Sequence, residues 1–242
     1  MSYNYFAEVY DDLTQNVDYD ARSEYLASFL NDAGIKTESD IIDLACGTGS
    51  ISIRLADMGY RVTGIDLSPE MLSIADFKAK GKISLINADM LNFSLTEPAD
   101  ACVCCLDSLN HLNSINEVIK AFKNVYNSIK ENGIFIFDVN TVYKHNCVLA
   151  NNTFVFDEED YFLSWDNELL DDNKIRIMID IFVKESNHYN RFSEEFFENA
   201  YSVDDLKAAL KPYFDVLGVY DDMTRNEPKS DSERIYFVCK RK

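Results

Sequence analysis

The segment Asp43-Leu-Ala-Cys-Gly-Thr-Gly49 joins an apolar run to a stretch of helical period through two glycines one residue apart. A chain that turns from strand to helix over bare glycine backbone lets a ligand lie against the main chain. It does so at the carboxyl end of the strand, where open α/β sheets bind nucleotide-like molecules. Acids follow at the ends of the next two apolar runs, Asp66 in Gly64-Ile-Asp-Leu-Ser68 and Asp89 in Asn87-Ala-Asp-Met-Leu91. A carboxylate after the second strand can accept hydrogen bonds from both hydroxyls of a ribose, and one a strand further out can accept the exocyclic amine of an adenine. Taken singly, each Asp fits a turn or a cap, and the glycines fit a tight turn. Together they point at one crevice.

The elements that must position these residues follow from periodicity. Short apolar runs alternate with helix-period segments through the first 140 residues, which predicts strands over 41–45, 61–65, 83–86, 101–106 and 134–137 separated by helices. Ile51, Leu55 and Met58 share one helical face with Gly59 at its end; Ser68 and Pro69 open a second helix. Ser114 and Glu117 form a capping box before the stripe Ile115, Val118, Ile119, Phe122, Val125, and Gly133 is expected to end that helix. From Lys174 the period changes to two, with Ile175, Ile177, Ile179, Ile181 and Val183 on one face. With similar runs at 161–168 and 189–198 this predicts a three-stranded antiparallel meander within 153–200, an insertion acting as lid or dimer interface. A helix from Ser202 and strands over 214–219 and 234–239 complete the expectation. The fold class is therefore α/β, a doubly wound, seven-stranded, mostly parallel sheet formed by 1–140 and 201–242, interrupted by a β subdomain at 141–200.

Composition bounds the function. Hydrophobic residues at 47% and charged residues at 27% of 242 are those of a globular chain and exclude collagen-like, disordered and disulfide-scaffold classes. Lys and Arg number 23 against 42 Asp and Glu, a formal charge of -19, so a nucleic acid or an anionic membrane would be bound against the whole field of the protein. Five of the six cysteines (Cys46, Cys102, Cys104, Cys105, Cys239) sit in apolar runs and read as buried, reduced thiols. With no apolar run near the roughly 18 residues a membrane span requires, a cytoplasmic location is expected. Cys102-Val-Cys-Cys105 does not read as a metal site, because neighbouring strand residues face opposite sides and no second Cys/His pair completes a zinc set.

The quoted segments Asp43–Gly49, Gly64-Ile-Asp-Leu-Ser-Pro-Glu-Met-Leu72 and Ala88-Asp-Met-Leu-Asn-Phe93 resemble motif I, post-motif I and motif II of class I S-adenosylmethionine-dependent methyltransferases. The opening Tyr3-Asn-Tyr-Phe-Ala-Glu-Val-Tyr-Asp11 and Asp18-Tyr19 resemble the branch acting on small molecules, including amino-sugar N-methyltransferases. The resemblance implies S-adenosyl-L-methionine as cofactor. It implies that Ala45, Gly47 and Gly49 pass the methionine half with Asp43 beneath, and that Asp66 holds the ribose. Leu67, Met71 and Met90 would enclose the adenine, Asp89 would meet its amine, Leu106 would lie beside the sulfonium, and Tyr10 and Tyr19 would close over the ligand.

Methyl transfer from a sulfonium needs alignment and exclusion of water more than a dedicated catalytic group. An amine must still arrive deprotonated, and the candidates for a base are His111, in Asp107-Ser-Leu-Asn-His111, and Tyr10. Asp107 and Asn110 share that loop and offer contacts to a polar or cationic acceptor. Trp165 and the aromatic run 192–201 either line an acceptor pocket or pack the meander on the core or a second subunit. Prolines stand only at 69, 98, 212 and 228, so the Pro-Pro-Tyr, Pro-Pro-Phe and Pro-Cys signatures of base-methylating relatives are absent. The expected function is methylation of N or O on a small-molecule acceptor. Two alternatives remain: a non-catalytic cofactor-binding protein with the meander as partner surface, and an NAD-dependent oxidoreductase. The second has Ser52 where its glycine fingerprint wants Gly or Ala.

Overall fold

A computed structural model describes residues 10, 11, 14 and 16–242. Along the chain run α1 (Tyr19–Asp32), β1 (Asp40–Leu44), α2 (Ser50–Asp57), β2 (Arg61–Asp66), α3 (Pro69–Ala79), β3 (Ser84–Asn87) and β4 (Ala99–Cys104). A 3-10 turn (Ser108–His111), α4 (Ile115–Ser128), β5 (Ile129–Asn140) and a π-helical turn (Lys144–Leu149) follow. Then come β6 (Thr153–Asp157), β7 (Tyr161–Leu169), β8 (Lys174–Glu185), β9 (His188–Asn199), α5 (Val203–Leu210), β10 (Phe214–Asp221) and β11 (Arg234–Arg241).

The main sheet has seven strands in the order β10-β11-β5-β4-β1-β2-β3. Its first five strands in sequence are parallel, and β11 is antiparallel to both β5 and β10. Strand order reverses between β1 and β4, which opens a crevice at their carboxyl ends. Side chains alternate across the sheet. Ile41, Ala101, Val103, Ile136 and Tyr236 pack with α1 and α2 on one face, while Ile42, Cys102, Cys104, Phe137 and Phe237 pack with α4 and α5 on the other. Cys105 joins the first face, so the cysteine cluster is split as strand geometry requires.

Three local expectations are corrected. The α4 helix stops at Ser128 and β5 begins at once, so Gly133 is not its cap. A Cβ at 133 would meet the carbonyl oxygens of Lys130 at 2.7 Å and Asp100 at 2.9 Å, and the glycine is there because two backbones close on it. At the start of α4, Ser114 Oγ accepts the Glu117 N–H at 3.3 Å, but Glu117 reaches back to the N–H of Asn113 at 2.7 Å rather than to Ser114. The insertion has four antiparallel strands, β6-β7-β8-β9, because Thr153-Phe-Val-Phe-Asp157 pairs with β7 as a further edge strand.

The inner face of this second sheet carries Leu163, Ile175, Ile177, Ile179 and Ile181, with Phe154, Trp165 and Phe196 packed on them. Asn110 stitches the two sheets. Its Nδ2 donates to the carbonyls of Asn140 (3.1 Å) and Asn199 (2.9 Å), and its Oδ1 accepts the Asn140 N–H at 2.9 Å. Asn110 is thereby committed to structure, not free for an acceptor as its loop position suggested. Among the described residues, no helix is long and apolar enough to cross a membrane. Residues 3–9 of the opening motif lie outside the described residues.

Candidate active site

The carboxyl ends of β1 to β5 converge on a cleft of about 1550 Å³, roofed by the insertion. Leaving β1, the chain takes positive φ at Ala45 (59°), Gly47 (53°) and Gly49 (77°). The two glycines differ in role. A Cβ at Gly47 would meet no atom within 4 Å, and the backbone there is bare to the cleft. At Gly49 a Cβ would lie 3.1 Å from Ala75 Cβ; this residue turns the chain into α2 and lets α3 approach from behind, outside the cleft lining.

Asp66, at the end of β2, is fixed by two backbone donors, the N–H of Gly47 to Oδ2 at 2.8 Å and that of Ser68 to Oδ1 at 2.9 Å. Burial pushes its carboxyl up from the usual range, and these N–H groups pull against that. Asp43 is wholly buried beneath the turn, accepts a hydrogen bond from Ser52 Oγ, and is pushed up to about 7 by desolvation. Leu67, Met71, Asp89 and Met90 line the outer end of the cleft beyond β2 and β3. Asp89 Oδ1 accepts the N–H of Leu91 at 2.8 Å, which sets the side chain in an Asx turn. The open face at Gly47 and the preset carboxylate of Asp66 in one cleft fit a nucleoside with a flexible tail. Leu67 is largely exposed, an apolar group awaiting cover.

Past β4, Leu106 and Asp107 adopt consecutive left-handed conformations with φ of 59° and 54°. Such backbone costs roughly 1–2 kcal/mol per residue, and it is held by the buried carboxylate of Asp138. Oδ2 accepts the N–H of Leu106 and Oδ1 that of Asp107, both at 2.8 Å. Arg234, from β11, bonds both Asp138 and Asp107, the latter at 2.5 Å. Burial pushes the Asp107 carboxyl up, but Arg234, Lys144 and His111 more than offset it, and it stays ionised below the ordinary range.

Two groups close the inner end. Tyr19 donates from its hydroxyl to Thr14 Oγ1 at 2.9 Å, and the Arg54 guanidinium lies 5.4 Å from its ring centre. Burial, with Tyr19, Asp107, Asp66 and Asp11 around it, pushes the Tyr10 phenol far above its usual value. A phenol in that state donates hydrogen bonds at neutral pH and takes no proton. His111 is half exposed on the side of the cleft nearest the insertion, its ring 5.3 Å from that of Phe196 and its Nε2 4.0 Å from Glu198 Oε1. Asp107, His111 and Glu198 each offer one acceptor atom, all within 4.8 Å of one another. Glu158, Glu159, Asp160, Glu194 and Glu195 surround the mouth, and the Lys and Arg among the described lining residues are Lys144 and Arg234.

Glu198 and Lys144 escaped the sequence reading. The signal for Glu198 was present: Phe192, Glu194, Phe196 and Glu198 share the inner face of β9, and an acid at the buried end of an apolar face calls for a reason.

Comparison with known proteins agrees with this geometry. Residues 41–133 match the model of a methyltransferase domain family. The chain is 37% identical over its whole length to YqeM of Bacillus subtilis (strain 168), named as a methyltransferase, and covers 98% of that protein. Over 54% of its length it is 31% identical to a Streptomyces fradiae dTDP-3-amino-3,6-dideoxy-alpha-D-glucopyranose N,N-dimethyltransferase, covering 52% of it. The crystal structure of an S-adenosylmethionine-dependent methyltransferase from Clostridium acetobutylicum ATCC 824 superposes with a TM-score of 0.89 at 34% identity, over 99% of both chains. A turn bare at Gly47, a preset Asp66 and full-length likeness to such enzymes converge: the chain belongs to the S-adenosylmethionine-dependent methyltransferases.

Proposed function

We propose that this enzyme methylates the nitrogen of a small-molecule amine. The observation that carries the reading is the trio Asp107, His111 and Glu198, whose acceptor atoms lie within 4.8 Å of one another. Charge-assisted hydrogen bonds of about 2.8–2.9 Å to one tetrahedral nitrogen place their acceptors roughly 4.6–4.7 Å apart. A divalent metal with ligands at about 2.1 Å would draw them to roughly 3–3.5 Å. With 4.0 Å between His111 and Glu198 and every pair within 4.8 Å, the three atoms can converge on one ammonium. The acid rim attracts a cationic group. The amino-sugar dimethyltransferase similar to half of this chain acts, by its name, on an amine.

S-Adenosylmethionine supplies a methyl group on an already activated leaving sulfur. The chain's own residues do the rest. Asp66 holds the ribose, Leu67, Met71 and Met90 cover the adenine, and Asp89 accepts its amine. Ala45 and Gly47 run beside the methionine half above Asp43, Leu106 flanks the reacting centre, and Tyr10 and Tyr19 exclude water. Asp107 and Glu198 hold the acceptor nitrogen by two N–H groups, His111 takes the third proton and returns it to solvent, and the freed electron pair then turns from His111 toward the side of Leu106, where the methyl group would lie.

The insertion at 141–200 acts as a lid on the part formed by 1–140 and 201–242. Its outer face shows Val155 and Phe162, with Phe162 and Phe182 rings 6.2 Å apart, and serves a homodimer. Six free cysteines, four of them buried, suit the cytoplasm.

The test is turnover of S-adenosylmethionine with paired libraries of primary amines and the corresponding alcohols. Release of S-adenosylhomocysteine with amines supports the reading; turnover confined to alcohols overturns it.

A further inference from the structure

His145 lies in the π-helical turn behind the acceptor site with its side chain 0% exposed. Its Nδ1 is 2.8 Å from the carbonyl oxygen of Asn173. A carbonyl offers only lone pairs, so Nδ1 must carry the hydrogen. That leaves Nε2, which has no hydrogen-bond partner and sits 3.5 Å from Glu198 Oε2. In a neutral ring Nε2 would set a lone pair against a carboxylate oxygen only 3.5 Å away, too close for a water to fit between them. A proton on Nε2 turns that opposition into an ion pair.

Among the neighbours of Glu198, Lys144 acts on it through space, while His145 faces its Oε2 directly. Asn140 Nδ2 donates to the same Oε2 at 3.2 Å, and Lys144 Nζ is held by Asn140 Oδ1 at 3.0 Å. His111 faces the other oxygen, Oε1, from the cleft side. The two oxygens of Glu198 are thus divided, Oε2 inward to the fold and Oε1 outward to the acceptor.

We infer that His145 is a positioning residue for the acceptor site: as an imidazolium it holds Glu198 ionised, with Oε2 bound inward and Oε1 presented to the acceptor nitrogen. A carboxylate accepts the N–H of an ammonium, whereas a protonated Glu198 would offer a competing donor. The functional meaning rests on the nitrogen-acceptor reading above; the charge state of the pair does not.

The experiment is nitrogen NMR of the full chain labelled at histidine, without ligand. The chain has three histidines, and substitution of His111 and His188 in turn assigns the signals. At neutral pH the expected spectrum shows both ring nitrogens of His145 protonated. In Glu198→Gln the Nε2 proton is lost, because the amide now donates to the ring while Nδ1 stays bound to Asn173. A wild-type His145 protonated at Nδ1 alone overturns the inference, as does a ring that keeps both protons in Glu198→Gln. Should that variant fail to fold, the wild-type spectrum decides. No acceptor is present in this measurement, so its failure is separable from a failure of amine turnover.

Discussion

Asp66 is prepared for a ligand before one arrives, since two backbone N–H groups fix its oxygens at the edge of the cleft. Asp66→Ala should weaken S-adenosylmethionine binding by about 1.5–3 kcal/mol, the loss of charge-assisted hydrogen bonds. Calorimetric titration reads this, and unchanged affinity would mean the ribose lies elsewhere. Asp43 carries a cost that depends on pH. Burial raises its carboxyl to about 7 in the folded chain, against about 4 when unfolded. Below both values the group is protonated in either state. Between them the unfolded chain releases a proton that the folded chain retains, so stability falls as pH rises from about 4 to about 7. The loss is on the order of 4 kcal/mol for three pH units. Asp43→Asn keeps an acceptor for Ser52 and has no proton to lose. Urea denaturation of the cofactor-free proteins should therefore show the variant gaining on the wild type across that window. Parallel stability curves would sink the argument.

At the scale of elements, the β1–α2 turn divides its labour between two glycines of similar backbone conformation. Alanine at either pays a left-handed penalty of about 1–2 kcal/mol, but their surroundings differ. Gly49→Ala adds a contact 3.1 Å from Ala75 Cβ, while Gly47→Ala places its methyl in the open cleft. The first should lose more stability, read by urea denaturation, and the second more cofactor affinity, read by calorimetry. Equal effects of both on both quantities would show that backbone strain alone matters. This turn was legible in the sequence because its chemistry is local: strand, glycine spacing and acids succeed one another with a regular period. The cluster of Asp107, His111 and Glu198 was not. Asp107 and His111 share a loop, but Glu198 reaches them from the end of β9, and no local period announces a contact that only the folding of the insertion creates. Thr153–Asp157 was too short to declare itself without its partner β7, and Gly133 was misjudged because the backbones crowding it come from Lys130 and Asp100.

Across the whole molecule, 42 acidic residues against 23 basic ones set two effects of opposite sign. Self-repulsion at a formal charge of -19 opposes the compact state, and the same field draws cations to an acid-rimmed cleft. Added salt screens both, since the Debye length shrinks from about 30 Å at 0.01 M to about 8 Å at 0.15 M. The unfolding midpoint of the free protein should therefore rise with sodium chloride. Affinity for S-adenosylmethionine should fall over the same range. S-Adenosylhomocysteine makes the control, because it shares every contact except those of the methyl group and lacks the sulfonium charge. Its affinity should respond less to salt, and the difference between the two ligands isolates the action of the field on the sulfonium. Identical salt dependence would mean that the surface acids do not reach the reacting centre, leaving the cation to the buried carboxylates of the cleft, Asp43, Asp66 and Asp107.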